Sequence, residues 1–451
     1  MKCEKLALGL DIGTTSISAA VVNIETGENV QAVTKENRSA LAGKPFEKKQ
    51  DASWILDETA KLAEELSSAY SLAAIGVTGQ MHGILYVDEM GHPVSPLYTW
   101  QDERAGQEIR PGVSYCQEIF EITGEHIQSG YGWATHYYQM KNGLVPFKAT
   151  SLCTVIDALA MRLTGKNKPI LHPSNAASLG LYDAKRGCFK KDALAQIGVN
   201  EKMIPAIASD EKPLGRYRGL PVSYAIGDNQ AGVYGSLVNE EESVLVNFGT
   251  GSQVSMVTEK YTKIPGLETR PYIGEKYLLS GAALCGGKAY AMAEKFFRTY
   301  ALALGLEDAQ QYSLMQRLAE EVYSSGHFLD VNTAFCGTRL DPSLRGSIQG
   351  IGEDNFTPGH MILGVLRGMA EELFSMYETM PRQGRSMLAA SGNGIRKNPV
   401  LQRVLKDRFQ MPLLLPGHQE EAAFGAALYA AVVSGAASFS DAKACIAYAE
   451  M

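Results

Sequence analysis

The chain has 451 residues, 45% of them hydrophobic and 20% charged, which is ordinary for a globular protein and enough for two domains with substantial cores. Its net charge of −7, with both signs interspersed, offers neither a nucleic-acid surface nor a polybasic membrane anchor. The seven cysteines (Cys3, Cys116, Cys153, Cys188, Cys285, Cys336 and Cys445) are odd in number, widely spaced and form no C-x-x-C, which argues for reduced packing thiols and against cysteine-bound metal.

Residues 6–10 form an apolar stretch that runs straight into a tight turn, so it reads as a strand and not as an export segment. Residues 17–22 return as a second strand. Residues 52–70 have helical periodicity, with Trp54, Ile55, Leu62 and Leu66 on the apolar face. Residues 73–77 predict a short buried strand ending at Thr78-Gly79-Gln80-Met81-His82-Gly83, and residues 84–87 predict the next. This order suits a layered α/β domain with a mixed sheet. Residues 93–104 read as a loop or short strand, and residues 118–182 as mostly helical with a loop at 130–135. Residues 222–226 form a strand that delivers Gly227-Asp228-Asn229-Gln230. Polar Asn239-Glu240-Glu241-Glu242 then marks a boundary, giving domains 1–238 and 239–451.

The second half repeats the plan. Strands flank Gly249, long helices follow at 286–324 and 358–379, and a strand at 386–390 leads into Ser391-Gly392-Asn393-Gly394. Residues 422–439 carry no charge and are rich in Ala and Gly. The break at Ser434-Gly435 and the missing basic flanks predict a closely packed buried helix and no membrane span.

The most informative feature is a hairpin written twice. Aligning Gly13 with Gly249 matches Asp11 to Asn247, Thr14 to Thr250 and Ser16 to Ser252. Each copy is strand, Gly-Thr turn, strand. Such turns aim backbone N–H groups and hydroxyls at an anion. Two of them would hold a triphosphate from both sides, and the repeat implies two similar domains around a nucleotide. Asp11 follows a strand and precedes the first turn, where it could hold Mg²⁺ or simply close an Asx turn. Asp228 at a strand end could act as a general base or cap a helix. Gln80-Met81-His82 and the Trp100–Arg104 stretch have the mixture of amide, ring, thioether and charge that a polyol surface needs, although Asp102 and Arg104 could equally form a surface ion pair. Gly392, Asn393 and Asn398 lie where small residues would let a flat base approach the backbone.

Together these segments resemble the FGGY carbohydrate kinases of the actin-like ATPase superfamily. The resemblance rests on residues 11–15, 79–83, 100–104, 227–230, 247–252, 391–394 and 420–427, in that order. It implies an α/β fold of two ribonuclease H-like domains with an interdomain active-site cleft, and an ATP-dependent kinase acting on a ketose. Asp228 would be the catalytic base and Asp11 would organise Mg²⁺. Thr14, Thr15, Gly249, Thr250 and Gly251 would line the phosphates, and Gly392, Asn393 and Asn398 would border adenosine. Gln80, Met81, His82, Asp102, Arg104 and Asn229 would contact the sugar. The implied partners are a small sugar and ATP in the cytoplasm, without nucleic acid or membrane, and with a homodimer as the candidate assembly. Segments 130–135 and 174–180, with the context of Gln80 and Gln101, resemble the sedoheptulose-phosphorylating branch. Xylulose and gluconate kinases share much of the pattern, and a non-kinase actin-like ATPase or sensor would share the two hairpins.

Overall fold

The computed structural model describes residues 5–338, 341, 343–418 and 420–449; Cys3 lies outside them. The chain forms two compact units. One comprises the residues through Val238 together with Arg270–Lys276 and Glu420–Ala447, and the other comprises Asn239–Thr269 with Tyr277–Gln419. The sequence places a boundary at 238/239, but it does not reveal that the segment after Glu420 returns to the first unit.

In the first unit β1 (Leu6–Ile12), β2 (Ser16–Asn23) and β3 (Asn29–Glu36) form an antiparallel meander. After the helix Ala52–Ala69, β4 (Leu72–Gly79) lies parallel to β1. Beyond it come β5 (Pro213–Tyr217), β6 (Leu220–Ser223) and the short β7 (Ile226–Gly227). The sheet runs β5-β6-β4-β1-β2-β3, and β7 also pairs with β4 in parallel. The helix Ala52–Ala69 starts where the Asp51 carboxylate accepts from the Trp54 amide, and it buries Ile55, Leu56, Leu62 and Leu66 at the spacing of one face.

The second unit repeats this order with β8 (Ser243–Phe248), β9 (Ser252–Thr258), β10 (Tyr277–Ala283), β11 (Met387–Ser391) and β12 (Leu413–Leu414). Its sheet includes the run β10-β9-β8-β11-β12, antiparallel on one side of β8 and parallel on the other. Both units therefore carry a ribonuclease H-like sheet, each with its own hydrophobic core. The equivalence extends to register. Asp11 stands beside Thr78 of β4, and Asn247 stands beside Ser391 of β11.

The uncharged run near the C-terminus forms the helix Glu421–Val433, buried over Ala423–Ala431. Among the described residues no helix is long and apolar enough to cross a membrane. A side chain at Gly9 or Gly76 would overlap the carbonyls of Ala423 or Ala426, so this helix lies directly on the backbones of β1 and β4. Gly235 of the helix Asp228–Ser236 meets Gly425 in the same backbone-to-backbone way. The Ala/Gly composition is thus a packing requirement.

Two local expectations change. Residues 132–135 are not loop; they form the first turn of the helix Gly132–Lys141. The stretch 118–182 is interrupted by the strand Ser151–Cys153, which pairs with Leu85–Val87. There short-range apolar pattern does not separate buried strand from buried helix.

Gly76→Ala is expected to destabilise the chain by about 1–3 kcal/mol, because the new methyl has only backbone to displace. Urea unfolding measures it, and an unchanged midpoint would refute the close approach.

Candidate active site

β1, β4 and β7 lie side by side with their carboxyl ends at one level. Asp11 and Ile12 pair with Thr78 and Gly79, which pair on their other side with Ile226 and Gly227. The Thr78 hydroxyl donates to the Ile226 carbonyl at 2.8 Å and ties the β7 end in place. Asp11 and Asp228 therefore emerge from strands two positions apart, roughly 10 Å by ordinary strand spacing.

Asp228 is the first residue of the helix Asp228–Ser236, with Gly227 in the cap position. Its Oδ1 accepts from the amide of the adjacent Asn229 at 2.7 Å. Surrounding protein lifts the carboxyl to about 6 although water reaches the side chain, and the Asn229 amide and Arg270 oppose the rise. An acid with this value is ionised at neutral pH and still a useful proton acceptor.

Asp11 is more confined. Its Oδ1 is buried with no hydrogen-bond partner. Burial first, then the negative charges of Asp228 and Glu420, push its carboxyl up to about 7. Glu420 itself accepts from the Thr34 hydroxyl at 2.9 Å. An orphaned carboxylate oxygen near two further acids suits a hard divalent cation, which would remove the repulsion. Asp11 alone is therefore the candidate Mg²⁺ ligand; among the described residues no three acidic, histidine or cysteine side chains gather into a metal site. The sequence reading gave Glu420 no role, because its neighbourhood with Asp11 depends on the late return of the chain.

The first Gly-Thr turn is splinted from behind. Asn37 Nδ2 donates to Gly13 O at 2.9 Å, the Asn37 amide donates to Thr15 O at 2.9 Å, and Gln50 Nε2 donates to Thr14 O at 2.8 Å. With these carbonyls engaged, the exposed Thr15 hydroxyl stands at the apex. Thr14 Oγ1 accepts from the Trp100 indole at 3.0 Å, and Gln80 Nε2 donates to Gln50 Oε1 at 2.9 Å. The turn is thus wired to Trp100 directly and to Gln80 through Gln50, whose role was not legible in the sequence.

Four distant segments converge beside Asp228. Met81 packs against Gly227, where a β-carbon would overlap its thioether. His82 adopts φ 70°, a left-handed conformation uncommon for a non-glycine residue. Its ring stacks on Tyr131 at 4.3 Å, and its Nδ1 lies 2.8 Å from the Ser178 carbonyl. A carbonyl only accepts, so Nδ1 carries the proton. Ser174 Oγ accepts from the Gly227 amide at 3.3 Å, and the Trp133 amide donates to Leu179 O at 3.0 Å. Segments 79–83, 130–135, 174–180 and 227–230 therefore form one neighbourhood that includes Asn229.

Asp102 and Arg104 are not a surface pair. Both are buried, with Arg104 Nε donating to Asp102 Oδ1 at 2.6 Å and Nη2 donating to Oδ2 at 2.9 Å. The Lys48 amide also donates to Oδ2 at 2.9 Å, and the guanidinium lies 4.3 Å from the Tyr98 ring centre. Burial alone would lower the Arg104 pKa, but the bonds to Asp102 outweigh it and raise the value. The structure gives each of these charges to the other.

In the second unit Gly249 and Thr250 are exposed at the tip of the β8–β9 hairpin. The helix Gly286–Ala303 begins against this turn, with the Gly287 amide donating to Gly249 O at 3.1 Å and the Lys288 amide to Thr250 O at 2.9 Å. Side chains at Gly286 or Gly287 would overlap Gly251, Ser252 or Gly249. This Gly286-Gly287 step was missed because neither glycine belongs to the hairpin repeat. Asn247 Nδ2 donates to Ser391 Oγ at 2.8 Å, so the neutral copy of Asp11 is spent on its neighbouring strand.

Next to the turn is a cavity of about 230 Å³. Phe248, Tyr290, Tyr312 and Leu366 supply apolar walls, and Asn393 and Asn398 supply polar edges. Tyr290 and Tyr312 stack with ring centres 5.6 Å apart. Asn398 also caps the helix Pro399–Phe409, its Oδ1 accepting from the Leu401 amide at 3.0 Å. Gly392 has φ 95° and packs its backbone on Phe248, where a side chain would overlap. Apolar walls with a few polar groups suit a planar base.

Fold and site define a two-domain phosphotransferase of the carbohydrate-kinase kind. Residues 6–235 match the N-terminal domain of the FGGY family of carbohydrate kinases and residues 244–434 match its C-terminal domain. The chain belongs to this family and is an ATP-dependent sugar kinase. It is similar to sedoheptulokinase from Mus musculus, at 27% identity over 95% of this chain and 98% of that protein. It is also similar to apulose kinase from Pectobacterium atrosepticum, at 26% identity over 93% of this chain and 88% of that protein. The structure of ligand-bound xylulose kinase from Lactobacillus acidophilus shares the fold, with a TM-score of 0.83 and 19% identity over 99% of this chain and 93% of that one.

Raising Asp11 from its ordinary 3.8 to about 7 means that the folded chain keeps a proton which the unfolded chain has released. On this account stability falls as pH rises through that interval, and the loss is complete above it. Asp11→Asn is expected to raise the melting temperature at pH 8 in metal-free buffer by about 1–2 °C, since about 1 kcal/mol moves a chain of several hundred residues less than it moves a small domain. Added MgCl₂ should stabilise the unsubstituted chain and leave the variant unmoved. Equal melting temperatures with and without MgCl₂ in both would refute the metal assignment.

Proposed function

We propose that the chain transfers the γ-phosphate of ATP to a primary hydroxyl of a ketose, converting sedoheptulose to sedoheptulose 7-phosphate. The observation that carries this reading is the convergence of segments 79–83, 130–135 and 174–180 on Asp228. It offers an ionisable base at about 6 beside a ring, a thioether and several amides. The named sedoheptulokinase relative, aligned along nearly its whole length, supports sedoheptulose as the acceptor.

In this reading Asp228 accepts the proton of the attacking hydroxyl as the O–P bond forms. Gln80, Met81, His82, Asn229 and the Asp102–Arg104 pair position the sugar, the last by shaping the surface that Tyr98 and Lys48 share with it. Thr14 and Thr15 on the first turn, with Gly249, Thr250 and Gly251 on the second, hold phosphate oxygens. Gly392, Asn393 and Asn398 border adenosine, Gly392 through backbone packing. Asp11 would hold Mg²⁺, which neutralises phosphate charge when bound. Residues 1–238 and 239–451 serve as the sugar-binding and nucleotide-binding domains, with the helix Glu421–Val433 as a structural loan from the second to the first. Acceptor binding that excludes water limits futile hydrolysis of ATP.

ADP release with Mg-ATP is measured across sedoheptulose, xylulose, ribulose, fructose, gluconate and glycerol. The highest kcat/KM is expected for sedoheptulose; a strong preference for another acceptor discards this sugar and keeps the kinase. Asp228→Asn is expected to lower kcat by roughly 10²- to 10⁴-fold, the range for a positioned base. With the unsubstituted chain, kcat/KM should rise with pH and level off above about 6, because the base must be ionised. Normal turnover by Asp228→Asn would remove Asp228 as the base.

A further inference from the structure

Cys285 and Cys336 lie with their sulfurs 3.6 Å apart, although 51 positions separate them in sequence. Cys285 is 1% exposed and immediately precedes the helix Gly286–Ala303. Cys336 is partly exposed and follows the strand Asp330–Asn332 in a turn closed by the Gly337 amide on Ala334 O at 3.0 Å. Both belong to the second unit. A disulfide bond is about 2.05 Å long, so the sulfurs need to approach by only about 1.5 Å. One thiol is thus reachable from solvent and the other is already in contact with it. Burial, with Cys336 beside it, pushes the Cys285 thiol up to about 11, which makes the more exposed Cys336 the sulfur that meets an oxidant first.

The geometry points to a reversible Cys285–Cys336 disulfide that governs the ATP-phosphate turn. A peroxide oxidises the Cys336 thiol to a sulfenic acid and leaves as water or alcohol. The Cys285 sulfur then attacks the Cys336 sulfur; the S–O bond breaks, and the sulfenic hydroxyl departs with the Cys285 proton as water. Two thiols have lost two electrons and two protons to the peroxide. A small thiol reverses the bond by exchange.

The bond would act on ATP through the chain itself. Cys285 is followed by Gly286 and Gly287, and the amides of Gly287 and Lys288 hold the carbonyls of Gly249 and Thr250. Side chains at either glycine would overlap the turn, so the contact has no slack. Pulling Cys285 toward Cys336 shifts those amides and loosens the Gly249–Gly251 turn. This functional half rests on the assignment of that turn to ATP phosphates; the covalent half does not.

The full chain is treated with hydrogen peroxide, digested without reductant and searched by mass for the linked Cys285–Cys336 peptides. ATP binding is titrated calorimetrically before oxidation, after it, and after dithiothreitol. The expected result is the linked peptide and an ATP affinity weakened roughly tenfold, about 1.4 kcal/mol of binding free energy, with recovery on reduction. Cys336→Ser, or Cys336→Ala if the serine folds poorly, should bind ATP like the reduced chain and ignore peroxide. Cys188→Ser, which removes an exposed thiol of the other unit, should remain sensitive. Absence of the linked peptide overturns the proposal. So does a linked peptide with unchanged ATP affinity, or undiminished peroxide sensitivity in Cys336→Ser. Failure of the phosphate assignment shows separately, as an absence of ATP binding by the reduced chain.

Discussion

Parallel pairing at the carboxyl end of β4 is the constraint from which the site follows. Thr78 and Gly79 set the level of Asp11 on one side and of Gly227 on the other. Gln80 leaves the same strand end with its amide bound to Ile12 O at 2.8 Å. The proposed base, the candidate metal ligand and the start of the proposed sugar-facing segment are thereby fixed by backbone hydrogen bonds and do not depend on loop conformation. Such rigidity is what positioning catalysis requires.

The two hairpins show how one backbone plan takes different charges. Asp11 and Asn247 occupy equivalent register positions, each beside a hydroxyl residue on the neighbouring parallel strand. The amide spends a donor on Ser391, whereas the carboxylate keeps a buried oxygen without a partner. The first unit thus carries an electrostatic burden that the second avoids. The burden marks the unit where a cation would sit.

Much of the fold was legible in the sequence because the two hairpins have the same spacing of Gly, Thr and acid or amide. The position of Asp228 at a strand end was legible from the apolar run that delivers it. Other features depend on long-range pairing. Nothing near Asp102 and Arg104 announces that Tyr98 and Lys48 bury them, and nothing near Gln50 announces that it braces Thr14. The Gly286-Gly287 step is invisible until the helix it starts is seen against the Gly249 turn. The start of the helix at Gly132 was missed because glycines at 130 and 132 resemble a loop, whereas Gly132 is needed for close packing on Ile84 and Leu179.

The backbone-on-backbone seat of the helix Glu421–Val433 has a consequence for how the chain is made. The first sheet is synthesised early, yet the layer covering β1 and β4 at Gly9 and Gly76 is supplied by residues more than 340 positions later. Long-range closure of this sort is slow, and an uncovered sheet face invites association. On a ribosome, the first unit waits with that face unsatisfied while the whole second unit emerges. The helix Glu421–Val433 then completes the first unit, so that folding of the unit that begins the chain is conditional on synthesis of the unit that interrupts it.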